Sequence, residues 1–131
     1  MAVLFQRVAI VGVGMVGGSL GRAMLSRGLV DEVVGIDATL GAVEQAVGLG
    51  AVTAVGDGLS AVSAADLVIL ATPVNTTLRL LPELSAWLKV GAVVSDVCST
   101  KADVVSRAGE VLPAGVTFVG GHPMTGSEKQ G

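Results

Sequence analysis

The stretch Val8-Ala9-Ile10-Val11-Gly12-Val13-Gly14-Met15-Val16-Gly17 decides how the rest of the chain is read. Four apolar residues in a row, three of them β-branched, fit a strand buried on both faces. The glycines at 12, 14 and 17 match G-x-G-x-x-G. From Val16 to Ser26 apolar residues recur at helical spacing, and Gly28 stands where a helix C′ residue is expected. A second β-branched run, Glu32–Ile36, ends at Asp37. Glycines alone would say little in so Gly-rich a chain. Strand, glycine loop, helix, strand and terminal acid in that order make a dinucleotide-binding fingerprint.

The chemistry assigns each residue a part. Gly12 permits the tight turn out of the strand. Gly14 has no Cβ, so a pyrophosphate can approach the backbone. Met15 and Val16 open the helix, whose first-turn amides have no helical acceptor and whose dipole favours an anion. Gly17 lets the helix pack closely on the strand. Asp37 can accept both ribose hydroxyls of NAD, and its charge repels the 2′-phosphate of NADP. The competing reading is a glycine-rich turn that binds nothing, with Asp37 capping the next helix.

Working outward, further buried strands are expected at Leu67–Ala71, Ala92–Asp96 and Val116–Val119, with a short one at Ala51–Ala54. Helical patterns lie at Leu40–Leu49, ending at Gly50, and at Asn75–Leu88, where Pro82 is expected to start a second short helix. Another, Lys101–Val111, stops before Pro113. Alternating strands and helices imply βαβ units: an α/β, Rossmann-type, doubly wound parallel sheet with helices on both faces. The 131 residues read as one dinucleotide-binding domain.

Composition excludes much else. The chain is 51% hydrophobic and 15% charged, too apolar for a disordered segment. The net charge of −3 with no basic run argues against nucleic acid. Mean hydropathy is +0.76, yet the longest apolar-plus-Gly run, Val8 to Gly18, falls well short of the roughly 20 residues a spanning helix needs. A single cysteine allows no internal disulfide and no cysteine-rich metal site. The location expected is the cytoplasm, with no membrane and no metal.

Two loops follow strands at the edge where ligands bind such sheets. Thr72 and Pro73 open the first: the threonine offers a hydroxyl to a cofactor and the proline stiffens the turn, unless the loop merely caps a helix through Asn75 or Thr76. In the second, Asp96-Val97-Cys98-Ser99-Thr100-Lys101, Ser99 and Lys101 are expected over the same crevice. Thr100-x-x-Asp103 also reads as a capping box. Cys98 is a poor nucleophile candidate, having no histidine at a recognisable spacing. His122, the one histidine, sits in a stiff Gly-Gly-His-Pro loop, and a free imidazole can gain or lose a proton near neutrality, so it is the candidate catalytic base.

These segments carry a resemblance. Residues 8–20, 93–101 (V-V-S-D-V-C-S-T-K) and 118–131 (F-V-G-G-H-P-M-T-G-S-E-K-Q-G) resemble the prephenate and arogenate (cyclohexadienyl) dehydrogenases, the last being the most specific. The resemblance implies NAD-dependent oxidative decarboxylation of prephenate to 4-hydroxyphenylpyruvate, a step of tyrosine biosynthesis, or the matching reaction of arogenate. It puts the family's catalytic histidine on His122 and its serine on Ser99, both toward the substrate, and pocket residues on Ser127 and Glu128.

Cys98 stands where the family has glycine. The family continues into a helical C-terminal domain that builds its dimer and supplies an arginine for the substrate carboxylate. With that domain absent, this chain is expected to be a partial enzyme, weakly active or inactive alone. Of its eight cations, only Lys101 and Lys129 are expected near the site. The alternatives are the NAD-binding domain of a 3-hydroxyacid-type dehydrogenase and a non-catalytic dinucleotide-binding module.

Overall fold

The computed structural model describes residues 4–97 and 102–120. In chain order the elements are β1 (Phe5–Val11), α1 (Met15–Ser26), β2 (Val30–Ile36), α2 (Leu40–Gly48), β3 (Ala54–Val55), a 3₁₀ helix (Leu59–Ala64), β4 (Leu67–Leu70), α3 (Val74–Leu84), β5 (Val93–Asp96), α4 (Ala102–Val111) and β6 (Thr117–Gly120). The six strands form one sheet in the order β3-β2-β1-β4-β5-β6. All neighbours are parallel. Strand order reverses between β1 and β4, and there a doubly wound sheet opens a crevice at its carboxyl edge.

Alternation along the strands splits the core in two. Val8 and Ile10 of β1 pack with Val33 of β2 and Val43 and Ala46 of α2, joined by Leu20, Met24 and Leu25 of α1. Ala9 and Val11 face the other way, with Val68 and Leu70 of β4, Leu81 and Leu84 of α3, and Val104 and Ala108 of α4. Helices on both faces are therefore present as expected. They explain why β1 reads as an unbroken apolar run: Val8, Ala9, Ile10 and Val11 are all buried. Fully burying each Leu or Val stabilises by roughly 1.5–3 kcal/mol.

Helix ends follow the glycines. In α1 the Gly28 amide reaches Leu25 O and the Leu29 amide Met24 O; in α2 the Gly50 amide reaches Val47 O and the Ala51 amide Ala46 O. Both are Schellman closures with glycine at positive φ.

Two local expectations need correction, and one short element carried no expectation. The short strand lies at Ala54–Val55 rather than Ala51–Ala54. Ala51 and Val52 are instead buried as a plug beneath α1, where a Cβ on Gly21 would stand only 2.0 Å from Ala51 O. Pro82 does not start a new helix: α3 runs through it to Leu84. Pro82 forfeits one amide bond two residues before the helix ends, and the buried Thr77, Leu81 and Leu84 fix the helix by its core face. The segment Leu59–Ala64, not expected to be helical, closes as a 3₁₀ turn around the buried Val62.

At the amino edge of the sheet, Asp66 just before β4 accepts hydrogen bonds from the Gln6 and Arg7 amides of β1 and from Lys89 Nζ. The Lys89 ammonium, then the Arg7 amide, hold its carboxyl below the ordinary value of 3.8. Among the described residues no helix is long and apolar enough to cross a membrane.

Candidate functional site

The site is built where β1, β2 and β4 end. Gly12 leaves β1 with φ +94 and donates its amide to Ile36 O at 2.7 Å, while the Ala71 amide reaches Val11 O at 2.8 Å. These bonds bring the three loops together. A Cβ on Gly12 would lie 2.6 Å from Ala71 O, so only glycine fits that turn. At Gly17 a Cβ would lie 2.0 Å from Gly12 O and 3.1 Å from Ile10 Cγ2. Its absence is what lets α1 sit on the strand.

Gly14 differs from both. It is the exposed N-cap of α1, and a Cβ there would meet none of the described residues within 4 Å. Packing among the described residues does not demand glycine at that position. No side chain caps α1, and its first turn carries no acidic residue. The positive end of the helix therefore faces outward uncompensated by its own sequence.

Asp37 is half-buried and held from two sides. Its Oδ2 accepts the Val13 amide at 3.0 Å and its Oδ1 the Thr39 amide at 2.9 Å. The first bond ties the acid to the glycine loop. The second is a short-range turn ahead of α2, whose N-cap is Thr39 with no side-chain bond, so Asp37 does not cap the helix itself. Two amides leave acceptor capacity on a carboxylate that has about four lone-pair sites.

Across the crevice, Thr72 and Pro73 lead into α3. Thr72 Oγ1 lies 2.7 Å from Thr77 Oγ1, and Thr77 Oγ1 donates to Thr72 O at 3.2 Å. The N-cap of α3 is Pro73, without a side-chain bond, so the helix-cap reading through Asn75 or Thr76 fails. What stiffens the loop is the fully buried Thr77, whose amide also reaches Pro73 O.

Together these residues wall a cleft of about 540 Å³. Gly12, Gly14, Asp37, Thr72 and Pro73 all line it, so five of the cofactor candidates meet in one place. Gly17 lies behind the wall in the helix–strand contact, and Val16, on the first turn of α1, is not among the lining residues described. Met15 begins α1, and its side chain lies outside the description. Ser99, His122, Ser127 and Glu128, with Cys98, Lys101 and Lys129, lie outside the described residues. Asp96, at the end of β5, is buried to 1% exposure and is engaged with a partner.

The cleft also holds a group the sequence reading did not name. Thr76, Arg79, Leu80 and Glu83 of α3 line it. Arg79 is thus a cation of the cofactor cleft, while the expectation for Lys101 and Lys129 falls outside the described residues. The signal was available: 76, 79, 80 and 83 share one helix face, offset from the core face of 77, 81 and 84.

Comparison with known proteins agrees with this geometry. The family model for the prephenate dehydrogenase nucleotide-binding domain matches residues 20–131. The chain belongs to the prephenate dehydrogenase family. It is similar to the prephenate dehydrogenase of Bacillus subtilis, at 39% identity over 95% of this chain and 34% of that protein. Among solved structures it resembles prephenate dehydrogenase from A. aeolicus in complex with hydroxyphenyl propionate and NAD+ (TM-score 0.86, 32% identity, 97% of this chain and 44% of that one). It also resembles Synechocystis arogenate dehydrogenase (TM-score 0.82, 30% identity, 93% of this chain and 43% of that one). The chain thus spans about a third of the length of its curated relative and less than half of each solved one.

Proposed function

We propose that the chain is a single dinucleotide-binding domain that takes NAD in the cleft at the carboxyl edge of β1, β2 and β4, and that it is the cofactor-binding part of an enzyme oxidising and decarboxylating prephenate to 4-hydroxyphenylpyruvate. The observation that carries the cofactor reading is the contrast among the three glycines. Gly12 and Gly17 are required by contacts inside the chain, whereas a side chain at Gly14 would meet none of the described residues beside an uncapped helix end. A ligand that approaches the backbone there gives that glycine its purpose.

Gly12 and Gly14, with the first-turn amides at Met15 and Val16, would cradle the pyrophosphate. Asp37 would accept the ribose hydroxyls, already oriented by Val13 and Thr39, and its charge disfavours a 2′-phosphate. Thr72 and Pro73 would form the opposite wall. Bound NAD supplies a hydride acceptor. In this reading neutral His122 accepts a hydrogen bond from the substrate hydroxyl and takes its proton. Ser99 hydrogen-bonds the histidine or that hydroxyl, and Ser127 and Glu128 line the substrate pocket. The similarity to prephenate dehydrogenases across most of the chain supports these roles. The substrate-carboxylate grip and the dimer contact would come from parts of the family's fold other than this cofactor domain.

The test is NADH absorbance with NAD and prephenate, and with arogenate in parallel. Turnover abolished by His122→Ala supports the assignment. Turnover that survives His122→Ala refutes the role given to the histidine. NAD binding without turnover is the expected behaviour of a cofactor domain alone, whereas failure to bind NAD overturns the reading of the cleft.

A further inference from the structure

The far wall of the cleft, beyond Asp37, has a chemistry of its own. It is apolar where Leu59 of the 3₁₀ helix and Leu80 of α3 line it. Arg79 stands one residue before Leu80 on the same helix face, and is exposed. Among the described residues no hydrogen bond or ion pair holds its guanidinium, even though Glu83 lies one turn along α3 and lines the same cleft. An arginine that declines an available i,i+4 carboxylate and stays free at the mouth of an apolar cleft is disposed to lie over a planar ring.

We propose that Arg79 stacks on the purine ring of the bound dinucleotide and sets the affinity for that base. The inference rests on the reading that the cleft takes NAD. With the pyrophosphate on the glycine loop and the ribose on Asp37, the base is the part of the ligand left for the Leu59–Leu80 wall. Leu59, carried by the 3₁₀ helix and not by α3, offers one apolar surface. The planar, weakly hydrated guanidinium covers the opposite face of the ring, attracted to its π electrons. A phosphate-anchoring role fits less well, because Asp37 and Glu83 both line the cleft with Arg79 and leave it with an excess of negative charge.

The test is titration of the 131-residue chain with NAD and with NADP, read by calorimetry at two salt concentrations. Arg79 has no partner to lose among the described residues, so Arg79→Ala should melt like the parent. It should weaken NAD between about two- and thirtyfold, the span from an exposed to a desolvated cation–π contact. Arg79→Lys, which keeps the charge and loses the plane, should recover only part of that loss, and the loss should change little with salt. Three results overturn the proposal: Arg79→Ala binding NAD like the parent, Arg79→Lys restoring binding in full, or Arg79→Ala weakening NADP far more than NAD. Asp37→Ala separates the two readings. If it weakens NAD while Arg79→Ala does not, the cofactor site stands and the stacking role falls; if the parent binds no NAD, both fall.

Discussion

Replacing each of two glycines by alanine should split stability from binding. At Gly17 the new Cβ would stand 2.0 Å from Gly12 O and 3.2 Å from Ala71 Cβ. A carbon–oxygen contact needs about 3.3 Å, so α1 must retreat from β1 by more than about 1 Å. Overpacking of this kind costs about 1–3 kcal/mol, and backbone on one side puts Gly17→Ala at the upper end. Alanine returns about 1 kcal/mol of helix propensity. The net loss of about 2 kcal/mol corresponds to a Tm lowered by about 5–10 °C. At Gly14 the same methyl meets none of the described residues within 4 Å. Only the weaker N-cap preference of alanine remains, under about 1 kcal/mol. NAD affinity should nevertheless fall at least tenfold, about 1.4 kcal/mol, because the methyl stands where the phosphate must approach. Thermal melts and NADH fluorescence titration of both variants decide the matter. A Gly14→Ala variant that binds NAD like the parent, or a Gly17→Ala variant that melts like it, refutes the division of roles.

Asp37→Ala removes the acceptor of the Val13 and Thr39 amides, so it should lower stability by about 1–2 kcal/mol. It should also weaken NAD and narrow the preference over NADP; unchanged NAD affinity would sink the assignment. Asp66 sets an acid limit. Its folded carboxyl titrates below its ordinary value of 3.8, chiefly through Lys89 and the Arg7 amide. Its contribution is complete above about pH 5 and lost as pH falls through the folded value. Asp66→Asn should therefore be less stable than the parent at pH 7, with the difference shrinking toward pH 2. A gap that stays constant across chemical denaturation curves at pH 7, 4 and 2 would show that the charge is not what holds that edge.

Where strand burial was two-sided, the sequence was easily read. Val8–Val11, Glu32–Ile36 and Leu67–Ala71 announced the central strands because parallel strands between helices carry no polar alternation. The glycines at 28 and 50 were legible because each does one local job, and the acid at 37 because it stands at a fixed place, the end of the second strand of a glycine-loop fingerprint. The misreadings came from tertiary context. Ala51 and Val52 have strand-like composition, but the glycine face of α1 draws them into a plug. Pro82 is a helix breaker by local rules, overruled by the buried Thr77, Leu81 and Leu84 around it. Arg79 was overlooked for a different reason: a helix with two working faces shows its second only when one asks which residues are offset from the core stripe. Loop position after a strand suggested Ser99 and His122, but their catalytic roles, and any part for Ser127 and Glu128, rest on family resemblance, since no periodicity or spacing assigns a reaction.

The parallel sheet also sets an order of events during synthesis. β1 is the central strand and the first to be made, yet its partner on one side, β4, lies about sixty residues later: Val8 pairs with Leu67. At about 5–20 residues per second, a ribosome leaves the Val8–Val11 run without that neighbour for roughly 3–12 s. No strand here can wait in a hairpin, because every pairing needs a crossover. The nascent chain is therefore most exposed to wrong partners while it holds β1 to β3 and lacks β4.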